Sequence, residues 1–346
     1  MSLGQDRLFP IFARKGRSPR SSLAGYIDVA GKVVVEPRYE VAYPFREGLG
    51  SVKVDDLWGA VNSPGELVIR PSSQGPLVFT NGLSNFRERG KEGVIDCHGN
   101  IVVPPRYQSV SHYSGGLACV AVGEQYGYID QNGYQVIPPF FEDARAFSEG
   151  LAAVKLSGKW GYVDASGTSV IPTKFVCDYA VAGPFRSGLA RVPENGKWGY
   201  IGRLGEFVIP ARFDMALEFS EGLGLVRLAD KYGYIDASGK IVVPPSYLRA
   251  GAFSEGLASV NTGTGEAHRS VAEACEVGFI NSLGAFAIPP QFLATGRFQS
   301  GLCLVETEKT IGYINQSGAF IWQSKWLEIG SFDPLHLLPP ENAPKS

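Results

Sequence analysis

The sequence predicts an all-β fold: a tandem array of about nine 34-residue, three-stranded antiparallel meanders in one continuous domain. Three observations lead there. First, the 346 residues include 43 Gly and 23 Pro; in a helix interior Gly costs about 1 kcal/mol and Pro about 3 kcal/mol, so long helices are excluded. Second, KWGYVDASGTSVIP at 159–172 returns as KWGYIGRLGEFVIP at 197–210, KYGYIDASGKIVVP at 231–244 and QYGYIDQNGYQVIP at 125–138, with weaker copies beginning at Ala24, Trp58, Glu92, Val277 and Ile311. Third, a Gly-Leu pair of FSEGLA type falls 11 residues before each marker glycine from Gly59 on, stretched to 22 before Gly278. A 34-residue period is also that of helical hairpin repeats. Here every unit carries the marker glycine and a turn glycine, and most carry Ile-Pro or Pro-Pro, which decides against helices.

In chain order, residues 1–23 form an N-terminal segment expected to hold a first strand, and 24–332 hold the nine units. Within a unit the first strand is LAAVKL (151–156), alternating small and apolar residues before a short Ser-Gly-Lys turn. The second is WGYVD (160–164), closed by Asp-x-x-Gly, a polar first position and a fourth-position Gly that match a type I turn. The third, TSVIP (168–172), ends in a proline that cannot donate to a ladder and suits an edge. About a dozen residues then lead to the next unit. A meander of this size cannot bury both faces alone, so neighbours must stack. Four residues are inserted between Pro172 and Gly188 and eleven between Leu257 and Gly278, and a Pro-rich tail covers 333–346. Nine units exceed the usual four to eight blades of a propeller, and three strands fall short of its usual four. The expectation is therefore an open or incompletely closed curved array, with a closed propeller-like ring as the alternative.

Twenty-eight of the 40 aromatic residues sit at four fixed slots of the repeat. Aromatics tied to a structural period are core, each burying about 150–250 Å². The Trp/Tyr before the marker glycine, as in Trp58, Trp160 and Trp198, keep a second reading open: a partly exposed row for stacking on glycans. Repeated Asp and Asn residues such as Asp130, Asp164 and Asn281 stand one per turn, which fits local backbone bonding and not the multiple donors of a calcium loop.

A net charge of −2 offers no global attraction to nucleic acid or to an anionic membrane. Five Cys at no CxxC spacing argue for a reduced compartment. With no apolar segment of signal or spanning length, the chain is expected to be cytoplasmic. Four His residues, at 98, 112, 268 and 336, lie at no chelating or triad spacing, and no phosphate-loop, HExxH or GxSxG motif occurs. No catalytic residue, metal site or cofactor is expected.

Two features stand apart from the repeat core. The inserted loop 261–276 carries Glu266, His268, Arg269 and Glu273, and insertions in repeat arrays fall on the binding face. A cation precedes the last aromatic of five units, namely Arg38, Arg106, Lys174, Arg212 and Lys325, which an array lines up as a stripe able to dock an acidic peptide.

The combination WGY(I/V)D-x-x-G, VIPP, an aromatic and FSEGLA resembles the WG (KWG) repeats of many bacterial and some eukaryotic proteins, over residues 24 to about 330. The resemblance implies an all-β repeat that mediates interactions, and brings no catalytic motif. Ala60, Ser73 and Glu92-Gly93-Val94 depart from the pattern. The expected function is a non-enzymatic protein–protein interaction scaffold; the alternative is a glycan-binding array using exposed Trp and Tyr.

Overall fold

The computed structural model describes residues 8–14, 22–176, 182–263 and 277–325. The described secondary structure is all β: nine small antiparallel sheets, each a meander in sequence order, six four-stranded and three three-stranded. We number them blades 1 to 9. Blade 5 is representative, with Asp143–Ala144, Ala152–Leu156, Lys159–Val163 and Ser169–Phe175 side by side.

Two local rules build each blade. The Gly-Leu signal is a two-residue hairpin: Glu149 and Gly150 both have left-handed φ (52° and 81°), and Ser148 and Leu151 exchange two backbone hydrogen bonds across them. Such a turn matches the twist of the strands it joins. At the hairpin between the third and fourth strands, the Asp164 carboxylate accepts from the N–H groups of Ser166 and Thr168 at 2.9 and 3.0 Å, so the repeated acid serves its own turn.

The marker glycine has a steric cause. Tyr162 pairs with Ile171 and Trp160 with Phe175, so Gly161 alone faces the bulged run Pro172–Lys174. A Cβ on Gly161 would stand 2.5 Å from the Ile171 carbonyl oxygen and 2.7 Å from the Thr173 nitrogen. Gly25, Gly59, Gly93, Gly127, Gly199, Gly233, Gly278 and Gly312 meet neighbouring-strand backbone in the same way. The bulge carries the strand past its prolines to the buried aromatic, so it does not stop at Pro172 as the sequence reading had it. The linker also holds a short strand, Asp143–Ala144 in blade 5, which makes the typical blade four-stranded.

The blades close into a ring, and the expectation of an open array is corrected. Three junction contacts run from blade to blade and recur between blade 9 and blade 1. The Tyr162 hydroxyl donates to the Gly183 carbonyl of the next blade at 2.8 Å, and Tyr313 donates to Pro10 at 3.0 Å. Tyr162 meets Phe185 edge-on at 4.9 Å, as Tyr313 meets Phe9 at 5.3 Å. Each turn glycine lies against the Ile or Val of the preceding blade, Gly205 on Ile171 and Gly239 on Ile209, while Gly31 of blade 1 lies against Ile321 of blade 9. Phe9, Ile11, Ile27, Leu302 and Tyr313 form the core of this seam. The unit count did not forbid closure, because closure depends on the rotation between neighbouring blades.

Blades 2 and 3 replace aromatic packing with buried polar bonds. Ser73 occupies an aromatic slot and its hydroxyl accepts from the Arg87 N–H at 3.1 Å. Glu92 stands where the Trp should be; its carboxylate pairs with Arg87 at 2.7 Å and accepts from the Val110 N–H of blade 4 at 2.7 Å.

Candidate interaction surface

Strand alternation sorts the turns. The FSEGL and Asp-x-x-Gly hairpins lie together at one end of the ring, and the Ser-Gly-Lys hairpins and links between blades lie at the other. Tyr43, Pro44, Leu77 and Val78 of blades 2 and 3 line a cavity of about 20 Å³ together with Gln299 of blade 9. Blades that are not neighbours meet only near the axis, so the first strands and the FSEGL turns surround it.

The cations of the predicted stripe are bonded across blade junctions. Arg106 donates to the Gly133 carbonyl at 3.1 Å, Lys174 to Gly205 at 3.0 Å, Arg212 to Gly239 at 2.6 Å, and Arg38 to Gly65. Each also lies over the ring of its own neighbour, as Arg106 does over Tyr107 at 5.0 Å. These four side chains cap the turn glycine of the next blade while remaining exposed. The backbone of Lys325 pairs with Thr310 in blade 9.

The Trp residues sit deeper. Trp58 is 8% exposed and Trp160 2%. Trp198 is half-buried beneath Arg191, whose guanidinium lies 4.9 Å from its ring. Little ring face is left for stacking on a sugar. Glu266, His268, Arg269 and Glu273 lie outside the described residues; the flanking strands are Ala258–Asn261 and Val277–Ile280, paired at Asn261 and Val277.

At the FSEGL end, three large apolar side chains project at the Asp-x-x-Gly turn position: Leu204, in Gly-Arg-Leu-Gly, is 86% exposed, Leu283, in Asn-Ser-Leu-Gly, 82%, and Tyr134, directly after the Asp130–Gly133 turn, 72%. Around the outside, last-strand residues such as Val34, Leu67, Ile101, Val170 and Phe286 are also exposed.

The chain matches the family model for the WG containing repeat at 25–58, 93–125, 126–160, 160–198, 198–232, 232–263 and 278–309. It belongs to the WG repeat family. The unmatched stretch between 58 and 93 is where Ser73 and Glu92 replace WG-repeat aromatics. No curated protein matches the chain by sequence. Among solved structures, a eukaryotic initiation factor superposes with TM-score 0.62 at 11% identity, covering 94% of this chain and 97% of that one. The dihydro-heme d1 dehydrogenase NirN gives 0.47 at 11% identity, over 78% and 71% of the two chains. Kluyveromyces lactis Hsv2p gives 0.39 at 9% identity, over 60% and 74%. At these identities the first likeness speaks to fold alone, and the other two carry no argument.

Sequence reasoning passed over one set of residues at this end, the Glu of the FSEGL turns. Glu47 accepts from the N–H groups of Asn81 and Gly82 in the next blade at 2.7 and 2.8 Å. Glu221 binds Glu255 and Gly256 in the same way at 2.6 and 2.9 Å, and Glu255 binds Ser300 and Gly301 at 2.6 and 2.7 Å. Glu149 binds Gly188 at 3.0 Å. A Glu directly before the Gly-Leu pair was the available signal.

Proposed function

We propose that this WG-repeat ring is a non-enzymatic protein-interaction scaffold that receives its partner on the FSEGL end. The observation that carries the reading is the exposure of Leu204, Leu283 and Tyr134 on turns of one end, above a ring whose periodic aromatics are already used between blades. The three stand on blades 4, 6 and 8, so one partner spanning this end of the ring can touch all of them through many separate contacts. The fold supports the reading further, because stacked repeats offer a long rigid surface on which many small contacts add up. We place the chain in a reducing compartment such as the cytoplasm, where the thiols of Cys97, Cys119 and Cys303, free among the described residues, would persist.

A photo-crosslinking residue at Leu204 or Leu283, compared with one at Asn195 on the opposite end, tests the assignment in cells that make the chain. A discrete protein adduct at 204 and 283, competed by unlabelled ring and missing at 195, is expected. Equal adducts at both ends would overturn the placement, and binding of glycans with quenching of Trp fluorescence would favour the glycan-binding reading.

A further inference from the structure

We propose that the unfilled hairpin turns of the FSEGL collar bind carboxylate side chains of a partner protein. The inference rests on the scaffold reading above and specifies the chemistry of the partner. Eight collar turns share one geometry, two adjacent residues at left-handed φ whose N–H groups point away from their own hairpin. In four of them, at 81–82, 187–188, 255–256 and 300–301, a Glu carboxylate from the preceding blade accepts one or both N–H groups at 2.6–3.0 Å. The ring therefore demonstrates on itself what the turn binds.

In the other four turns no such carboxylate is present among the described residues. Among the described residues, no protein group accepts from the N–H groups of Glu47 and Gly48, Gly115 and Gly116, Glu149 and Gly150, or Glu221 and Gly222. The cause is sequence. The blade preceding each of the last three offers Asn81, Gly115 or Ser187 where a Glu would reach, and blade 1 has no FSEGL turn among its described residues. Blades 4 and 5 are adjacent and both unfilled. Beside the blade 5 turn stands Arg203, which donates to the Glu149 carbonyl at 2.8 Å and lies 3.9 Å from where a Gly150 Cβ would be. Arg46 flanks the blade 2 turn. The residues of the blade 4, 5 and 7 turns are exposed, and Glu47 is too. Paired backbone N–H groups of this kind form concavities that hold anions. Of the carboxylates on this end, Glu47, Glu149, Glu221 and Glu255 point to the following blade and are engaged by N–H donors there, and Asp130 and Asp164 of blades 4 and 5 accept from the N–H groups of their own turns, which lessens their repulsion of an incoming acid. An extended acidic segment crossing blades 4 and 5 meets two free N–H pairs and the Arg203 guanidinium.

The test fills the turns from within. Asn81 and Ser187 have φ of 53°, close to the 50° and 52° of Glu47 and Glu149, and Gly115 has 61°. The triple variant Asn81→Glu, Gly115→Glu, Ser187→Glu should therefore clamp blades 4, 5 and 7 internally. A control triple, Ser157→Glu, Asn195→Glu and Ala229→Glu, adds the same charge at opposite-end turns. The probe is a dye-labelled peptide of alternating Glu and Gly, read by fluorescence anisotropy against its Gln-Gly counterpart. The parent should bind the Glu peptide at least about tenfold more tightly than the Gln peptide, a difference that charge-assisted hydrogen bonds supply. The filled variant should lose most of that preference, the blade 2 turn alone staying open, and melt higher, while the control keeps it to within about threefold. Equal binding of the two peptides by the parent, or equal losses in the filled and control variants, would overturn the proposal. A partner adduct at 204 in the face of either result would leave the scaffold reading standing and remove only its acidic chemistry.

Discussion

Gly161→Ala isolates the contact that shapes every blade. The new methyl would sit 2.5 Å from the Ile171 oxygen, 2.7 Å from the Thr173 nitrogen and 2.8 Å from the Pro172 carbonyl carbon, all backbone atoms with no rotamer to yield. Ordinary contact begins near 3.4 Å, so the fourth strand must retreat by about 0.9 Å. Retreat is resisted on its far side, where Ile171 packs on Gly205 and Lys174 donates to the Gly205 carbonyl of the next blade at 3.0 Å. Overpacking of this kind costs about 1–3 kcal/mol; with backbone on all sides the upper figure applies. At about 2 °C per kcal/mol, the low end for large domains, the melting temperature should fall by roughly 6 °C. Gly75→Ala is the matched comparison. Its Cβ meets nothing within 4 Å and its φ is not left-handed, so it should be neutral or slightly stabilising. Calorimetry of both variants beside the parent decides the matter. If Gly161→Ala melted within about 1 °C of the parent, the steric account of the marker glycine would be wrong.

At the ring seam, Tyr313→Phe removes the bond to Pro10 and should cost about 1 kcal/mol, while Phe9→Ala empties the ring against Tyr313 and should cost about 3–5 kcal/mol in urea unfolding; a loss below about 1 kcal/mol for Phe9→Ala would mean that the seam contributes little to closure. In acid, the hydrogen bonds from Asn100, Ser166 and Ser238 hold Asp96, Asp164 and Asp236 below the usual carboxylate range. A depressed folded pKa contributes stability above the unfolded value near 4 that is lost as pH falls through the folded one. Melting temperature should thus hold from pH 7 to about 5 and drop below about 4, less steeply when all three are Asn. An equal slope in that variant would refute the turn contribution. Thiol labelling should follow burial: it pushes Cys119 up to about 12 and Cys303 higher still, whereas Cys97 is only half-buried. Cys97 should label at least about 100-fold faster than either, read by peptide mass spectrometry, and comparable rates would contradict the packing.

Much of the fold was legible because short-range stereochemistry wrote it into every unit. The Asp-x-x-Gly turn, the Ser-Gly-Lys turn and the alternating strands follow from residues a few positions apart, whereas the left-handed pair before Leu151 showed in the sequence only as a recurring Gly-Leu and not as a hairpin. The bulge at Pro172–Lys174 was not legible, since proline reads as a strand end unless the glycine across from it is known to make room. The candidate surface was less legible still. Arg212 and Lys174 look like free cations in sequence, and only the next blade shows the carbonyls they cap. Glu47 and Glu255 look like solvent residues until the turn N–H groups one blade on are placed beside them.

What the sequence by itself determined is the module: nine copies of one β meander, their turns, and the aromatic slots that must be buried between neighbours. Tertiary structure alone decided that the array closes, that the FSEGL and Asp-x-x-Gly turns share an end, and which turn N–H groups are left for a partner. The physical reason is range. Turn chemistry is local and repeats with the period, whereas closure accumulates a small rotation over nine junctions and is settled where Phe9 meets Tyr313, residues 304 positions apart.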